Sequence, residues 1–248
     1  MRILPKCAVV LCFALLLQGA AHAERPYIVG TEATFAPFES LNEKQQIVGF
    51  DAELIQAIAD RAGFQIKMIN TPWEGLFIGL QRGERDIVAA AVTITPDRKR
   101  TMDFSAPYFE AKQLIITTQH NKIDAMDSLK GQKVGVQGGT SGDAVAQQHF
   151  GKTSPDIARF DSIVQALEAL RAGKVAAVIA DNGVVRNYLV ENPNARLRLV
   201  DDPVFEKEYY GIAVKKGNKA LLNRINKGLD AVKADGTYQK IYLKYFGK

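Results

Sequence analysis

Residues 79–83 read Gly-Leu-Gln-Arg-Gly and lead into Asp86-Ile-Val-Ala-Ala-Ala-Val92; residues 169–173 read Ala-Leu-Arg-Ala-Gly and lead into Val175-Ala-Ala-Val-Ile-Ala180. Each stretch is the end of a helix, a glycine that stops it, and a β run that is apolar on both faces. A strand needs that composition when helices cover both sides of its sheet. The two units stand about ninety residues apart, and each strand ends in polar groups: Thr93 through Arg98 in the first, Asp181 in the second. Repetition of this kind predicts two lobes of similar construction, with ligands expected at the carboxyl edges of the strands.

Working outward, β runs alternate with helical patterns along most of the chain. Tyr27–Gly30 is a strand, Val48–Ala62 is helical and ended by Gly63, and Gln65–Ile69 is a strand again. Thr71-Pro72-Trp73-Glu74 spells a helix start, with Thr71 as cap, Pro72 at the first position and Glu74 closing a capping box. Gln113–Thr118 and Lys133–Val136 are further strands, the second running into the glycine-rich turn Gly138–Gly142. Helical stretches follow at Val184–Val190 and Leu221–Lys233, with Tyr210–Lys215 as one more β run. The fold class is α/β, with mainly parallel sheets flanked by helices.

The N-terminus reads as an address. Arg2 and Lys6 form a basic start, Cys7–Leu17 is apolar, and Ala21-His22-Ala23 is a small-x-small cleavage site, so residues 1–23 are expected to be a secretory signal. Cleavage leaves 225 of 248 residues and removes both cysteines, so the mature chain carries no disulfide framework. No later segment approaches a membrane-spanning length, and the expected location is the periplasm. The formal charge of +5 is spread along the chain. Arg98-Lys99-Arg100 lacks companion basic runs and interleaved aromatics, which argues against nucleic acid as a partner. The histidines show no metal-ligand spacing, there is no mature cysteine, and no cofactor motif appears, so metal and nucleophilic chemistry are disfavoured.

The polar groups at the strand ends each admit two readings. Arg98 sits in the first turn of a helix capped by Thr95, where the dipole disfavours a cation; it completes an anion site or belongs to a solvated Arg-Lys-Arg face. Asp181 is a helix N-cap, a holder for an ammonium, or both. Phe35 and Trp73, just past two strands, are core or ligand walls, and Glu32 is a site acid or a solvated one.

Four segments together resemble the polar amino-acid-binding proteins of bacterial ABC importers. They are Glu32-Ala-Thr-Phe-Ala-Pro-Phe-Glu39, Val48-Gly-Phe-Asp51, Thr93-Ile-Thr-Pro-Asp-Arg98 and Asp235-Gly-Thr-Tyr238. The arginine- and lysine/arginine/ornithine-binding members are nearest, with glutamine binders next. The resemblance implies a two-lobed periplasmic binding fold with a two-strand hinge near Tyr108–Lys112 and Glu206–Tyr210. Lobe 1 would be residues 24–109 and 209–248, and lobe 2 residues 110–208. It further implies that Arg98 grips a ligand α-carboxylate, helped by Thr93 and by the amides around Thr140 and Ser141, with Ala91 as a further ligand-binding residue. Asp181 would meet the α-ammonium, Phe35 and Trp73 would sandwich the side chain, and Glu32 would meet its tip.

Glutamine binders carry a lysine where Gln137 stands and a histidine where Ala180 stands. Gln137 is kept as a site residue, but the exchange weakens the glutamine reading, and an acid at Glu32 without a basic counterpart suits a cationic tip. The expectation is therefore a monomeric, non-catalytic receptor for a basic L-amino acid that delivers it to an inner-membrane ABC permease. A glutamine receptor and an enzyme like the exported cyclohexadienyl dehydratases are the alternatives.

Overall fold

A computed structural model describes residues 25–247. The expected signal segment lies outside the described residues. Along the first lobe run β1 (Tyr27–Thr31), a small antiparallel flap of β2 (Thr34–Phe35), β3 (Glu39–Leu41) and β4 (Ile47–Val48), then α1 (Phe50–Ala62), β5 (Ile66–Asn70), α2 (Trp73–Arg82), β6 (Ile87–Val88), α3 (Pro96–Thr101) and β7 (Met102–Phe104). The chain crosses over on β8 (Phe109–Thr118) and continues as β9 (Val134–Gln137), α4 (Ser141–Phe150), β10 (Ile157–Phe160), α5 (Ile163–Arg171), β11 (Ala177–Asp181), α6 (Asn182–Glu191) and β12 (Leu197–Val200). It returns on β13 (Lys207–Tyr210) and ends with β14 (Ala213–Lys215), α7 (Lys219–Ala234) and α8 (Thr237–Phe246).

The sheets have the order β5-β1-β6-β14-β7 and β10-β9-β11-β8-β12. In each, one half is parallel (β1 with β5 and β6; β9 with β10 and β11) and the other antiparallel. The antiparallel halves contain the strands nearest the crossings, because a chain that leaves a lobe and comes back must enter it against the parallel direction. The outward and returning strands pair with each other at Phe109↔Tyr210 through Lys112↔Lys207, and the same β8 then enters the second sheet with Gln113 opposite Asp181. One strand thus carries the hinge at one end and a site residue in its middle.

Gly63 and Gly83 end α1 and α2 in the left-handed conformation (φ 69° and 78°), as the sequence predicts. The capping box expected at Thr71 does not form. The Thr71 hydroxyl instead accepts hydrogen bonds from the Arg85 guanidinium at 3.1 and 3.3 Å, and α2 starts without a side-chain cap. The strand expected over Asp86–Val92 leaves the ladder after Val88. Ala91 takes a left-handed φ of 48°, unusual for a residue with a Cβ, and its amide donates to the Asp51 carboxylate at 2.7 Å. That turn re-aims the chain so that Thr93 bridges to Tyr210 on the returning strand.

Rings cluster around the hinge: Phe109 stacks on Tyr210 at 5.5 Å and meets Phe38 and Phe246 edge-on or tilted at 4.9 Å. In the first lobe α1 packs on α7, burying Leu54, Ile55 and Ile58 against Ile225 and Leu229. Each such side chain contributes about 1.5–3 kcal/mol of transfer free energy. The two helices approach closely at Gly228, where an added Cβ would lie 2.5 Å from the Ile58 carbonyl oxygen. Gly228→Ala should therefore cost ~1–3 kcal/mol, read as a lower urea midpoint; a midpoint equal to the wild type would mean that the helices part without penalty.

Candidate functional site

A narrow cavity lies between the lobes, and every residue expected in the site from the sequence lines it: Glu32, Phe35, Trp73, Ala91, Thr93, Arg98, Gln137, Thr140, Ser141 and Asp181, with Ala90 in addition. The lobes touch across it. The Gln137 amide donates to both oxygens of Glu32 at 2.9 and 2.8 Å, Thr93 and Ser141 share a hydrogen bond of 3.2 Å, and Arg98 reaches the Gly139 carbonyl at 3.2 Å.

Arg98 follows from its helix start. Thr95 caps α3 by accepting from the Arg98 amide at 3.2 Å, with Pro96 in the first turn. This cap turns the half-buried side chain inward, where the guanidinium donates to the carbonyls of Thr93 (2.9 Å) and Gly139 and lies 5.2 Å over the Trp73 ring. Burial pulls its pKa down, while Asp181, Glu208 and Tyr210 pull the other way. Among the described residues it forms no ion pair, so a half-buried cation is held by neutral groups and its planar fork is available to an anion. The first amides of α4, after the Thr140 cap, lie in the same cavity without helical acceptors. Gly142 allows that approach: a Cβ there would stand 2.9 Å from the Ile179 carbonyl and 3.0 Å from the Gln113 amide oxygen.

Asp181 opens α6 but does not cap it through its side chain. Its buried carboxylate accepts instead from Tyr210 at 2.7 Å and Gln113 at 3.1 Å. Burial, reinforced by the nearby Glu208 charge, pushes its pKa to about 7 against the opposing hydrogen bonds and Arg98. Glu32 is buried too, and desolvation raises its pKa although Gln137 and Thr34 donate to it. It also forms no ion pair among the described residues. The cavity thus has a cation at one place, two acids elsewhere, and aromatic walls at Phe35 and Trp73. No group of histidine, cysteine, aspartate and glutamate suited to a metal occurs among the described residues.

Sequence reasoning missed four residues behind this surface. Gln113 donates to Asp181, Ser141 and Glu208; Tyr210 and Glu208 come from the returning hinge strand; Asp51 ties the Ala91 amide to the Tyr108 hydroxyl, the latter at 2.5 Å. Gln113 carried a weak signal as a polar residue in an apolar run. Asp51 stood in the Val48–Asp51 segment of the family resemblance with no role attached to it, and only the register of the two hinge strands brings Glu208 near Asp181.

Fold and site together define a two-lobed binding protein that encloses a small polar solute. The chain belongs to the bacterial extracellular solute-binding proteins, family 3, whose model matches residues 27–248. A probable histidine-binding protein of Neisseria gonorrhoeae is 42% identical over 230 residues, covering 92% of this chain and 86% of its own. The crystal structure of the arginine-, lysine-, histidine-binding protein ArtJ of Geobacillus stearothermophilus superposes with a TM-score of 0.88 at 41% identity, covering 90% of this chain and 96% of its own. An ancestral amino acid-binding protein described as a precursor of cyclohexadienyl dehydratase gives 0.81 at 35% identity, with 89% and 95% covered.

Asp51 sets a pH dependence of stability. Burial raises its pKa from 3.8 to about 7, so the folded state binds a proton that the unfolded chain has lost. The resulting stabilisation is complete below about 3.8 and vanishes above about 7, falling by about 1.4 kcal/mol per pH unit between. Asp181 acts in the same direction. Urea unfolding from pH 5 to 8 should show stability declining as pH rises, with a shallower slope in Asp51→Asn; parallel slopes would place the titration elsewhere.

Proposed function

We propose that this chain is a periplasmic receptor that captures one basic L-amino acid between its lobes and delivers it to an inner-membrane ABC permease. The observation that carries this reading is the presence of a half-buried Arg98, without an ion pair among the described residues, and two buried acids, Asp181 and Glu32, around one cavity. A zwitterion with a cationic side chain supplies a partner for each: its carboxylate for Arg98 with Thr93, Ala91 and the α4 amides around Thr140 and Ser141, its α-ammonium for Asp181, its tip for Glu32 beside Gln137. Phe35 and Trp73 flank the stem between them. An acidic ligand would place a negative charge against Glu32, at a cost no neighbouring cation offsets. The histidine-binding and arginine-, lysine-, histidine-binding relatives point to the same ligand class.

The lobes are assigned as residues 24–109 with 209–248 and residues 110–208, hinged on the paired β8 and β13, in a monomer released by cleavage of residues 1–23. The relatives are named as binding proteins, and turnover is not expected: Glu32 and Asp181 face places for cations rather than an acid or base aimed at a ring acid. Incubation with prephenate or arogenate should yield no aromatic product.

Arg98→Ala should weaken amino-acid binding by ~2–5 kcal/mol, roughly thirtyfold or more, in calorimetry. Retained tight binding would place the carboxylate elsewhere. Glu32→Gln should move preference from arginine or lysine toward glutamine, because a neutral amide partners another amide better than a cation; an unchanged ranking would make Glu32 a bystander.

A further inference from the structure

Glu208 is not in the wall of the cavity. It sits half-buried on the returning hinge strand, between the cavity and an outer groove that it lines with Thr95, Pro96 and Gln113. One nitrogen, Gln113 Nε2, lies 2.9 Å from Glu208 Oε2 and 3.1 Å from Asp181 Oδ1. The Thr93 hydroxyl lies 3.4 Å from the same Glu208 oxygen. Adjacent Lys207 pairs with Glu110 at 2.9 Å, and Glu208 forms no ion pair among the described residues. Two acids therefore converge on one amide whose two hydrogens must also serve Ser141.

We propose that Glu208 is a positioning residue that makes Asp181 hold a proton in the empty receptor, and that the ligand's α-ammonium displaces this proton on binding. The proposal rests on the reading above, that Asp181 receives the α-ammonium. The charge balance is simple: the ammonium keeps its three hydrogens, the Asp181 carboxyl becomes a carboxylate, and one proton goes to solvent.

The groups facing Asp181 decide the direction. Tyr210 and Glu208 come from β13, Gln113 from β8, Arg98 from α3, and Glu39, a fully buried acid on β3, feels Asp181 across the hinge. Glu208 opposes a charge on Asp181; Tyr210, Gln113 and Arg98 favour it, and Arg98 turns to the ligand carboxylate once the site fills, while Glu39 is itself pushed up by Asp181 and stays neutral. Burial with a second acid alongside brings the Asp181 pKa to about 7, so a cation arriving there shifts a group that is half protonated at neutral pH. A receptor of this kind grips its ligand more tightly as pH rises through 7.

Calorimetry of arginine binding in two buffers of different ionisation enthalpy, such as Tris and phosphate, reads the proton directly. At pH 7 the wild type should release up to about half a proton per arginine from Asp181, and its Kd should fall roughly tenfold from pH 6 to pH 8. Glu32 also carries a raised pKa and faces the side-chain tip, but it does not touch Glu208, so the variant isolates the Asp181 share. Glu208→Gln should still bind, with a smaller release and a flatter pH profile, and Glu208→Asp should restore both. Equal heats in the two buffers for the wild type, or a Glu208→Gln release equal to the wild type, would overturn the proposal. Failure of the wild type to bind any amino acid would instead overturn the reading of the site on which it rests.

Discussion

The site is organised around Arg98, a half-buried guanidinium held by neutral groups. Arg98 is held by the carbonyls of Thr93 and Gly139, one from each lobe, and by the face of Trp73. These neutral partners orient the fork without neutralising it. Because one carbonyl belongs to the second lobe, the Arg98 side chain bridges the cleft. On the reading proposed above, a ligand carboxylate would meet Arg98 at the point where the two lobes touch, so that recognition and closure would share one interaction.

The acidic side is wired differently. Asp181 takes its hydrogen bonds from both hinge strands, Gln113 on the outward one and Tyr210 on the returning one, and Asp51 joins the cavity-lining Ala91 to Tyr108 at the crossing. Asp181 and the hinge are thus one hydrogen-bonded unit, packed around by Phe38, Phe109 and Phe246. Glu32 belongs to neither. Among the described residues its cross-cleft partner is the uncharged Gln137 amide, which places no cation against it.

What the sequence revealed follows from the range of the physics involved. Local rules predicted the helix-glycine-strand units, the Thr95 cap and the left-handed Gly63 and Gly83, because each depends on a few neighbouring residues. Thr71 failed as a cap since Arg85, fourteen residues on, claimed its hydroxyl. The left-handed Ala91 was invisible because its support comes from Asp51, forty residues earlier. For the site, polar residues at strand ends were open to bland readings until the family pattern and the cavity joined them. Glu208 and Gln113 stayed hidden because their roles depend on strand register, which a single sequence does not encode locally.

The most direct test of the charge pattern is a thermal unfolding scan of the purified protein against the twenty amino acids, ornithine, and agmatine, which is arginine without its carboxylate. A ligand that binds only the folded protein raises its unfolding temperature. The expected result is a clear rise with one or more of arginine, lysine, ornithine and histidine, little with aspartate or glutamate, and none with agmatine. A rise with the acidic amino acids, or one with agmatine equal to that with arginine, would contradict the assignment of Arg98 to the carboxylate and Glu32 to a cationic tip.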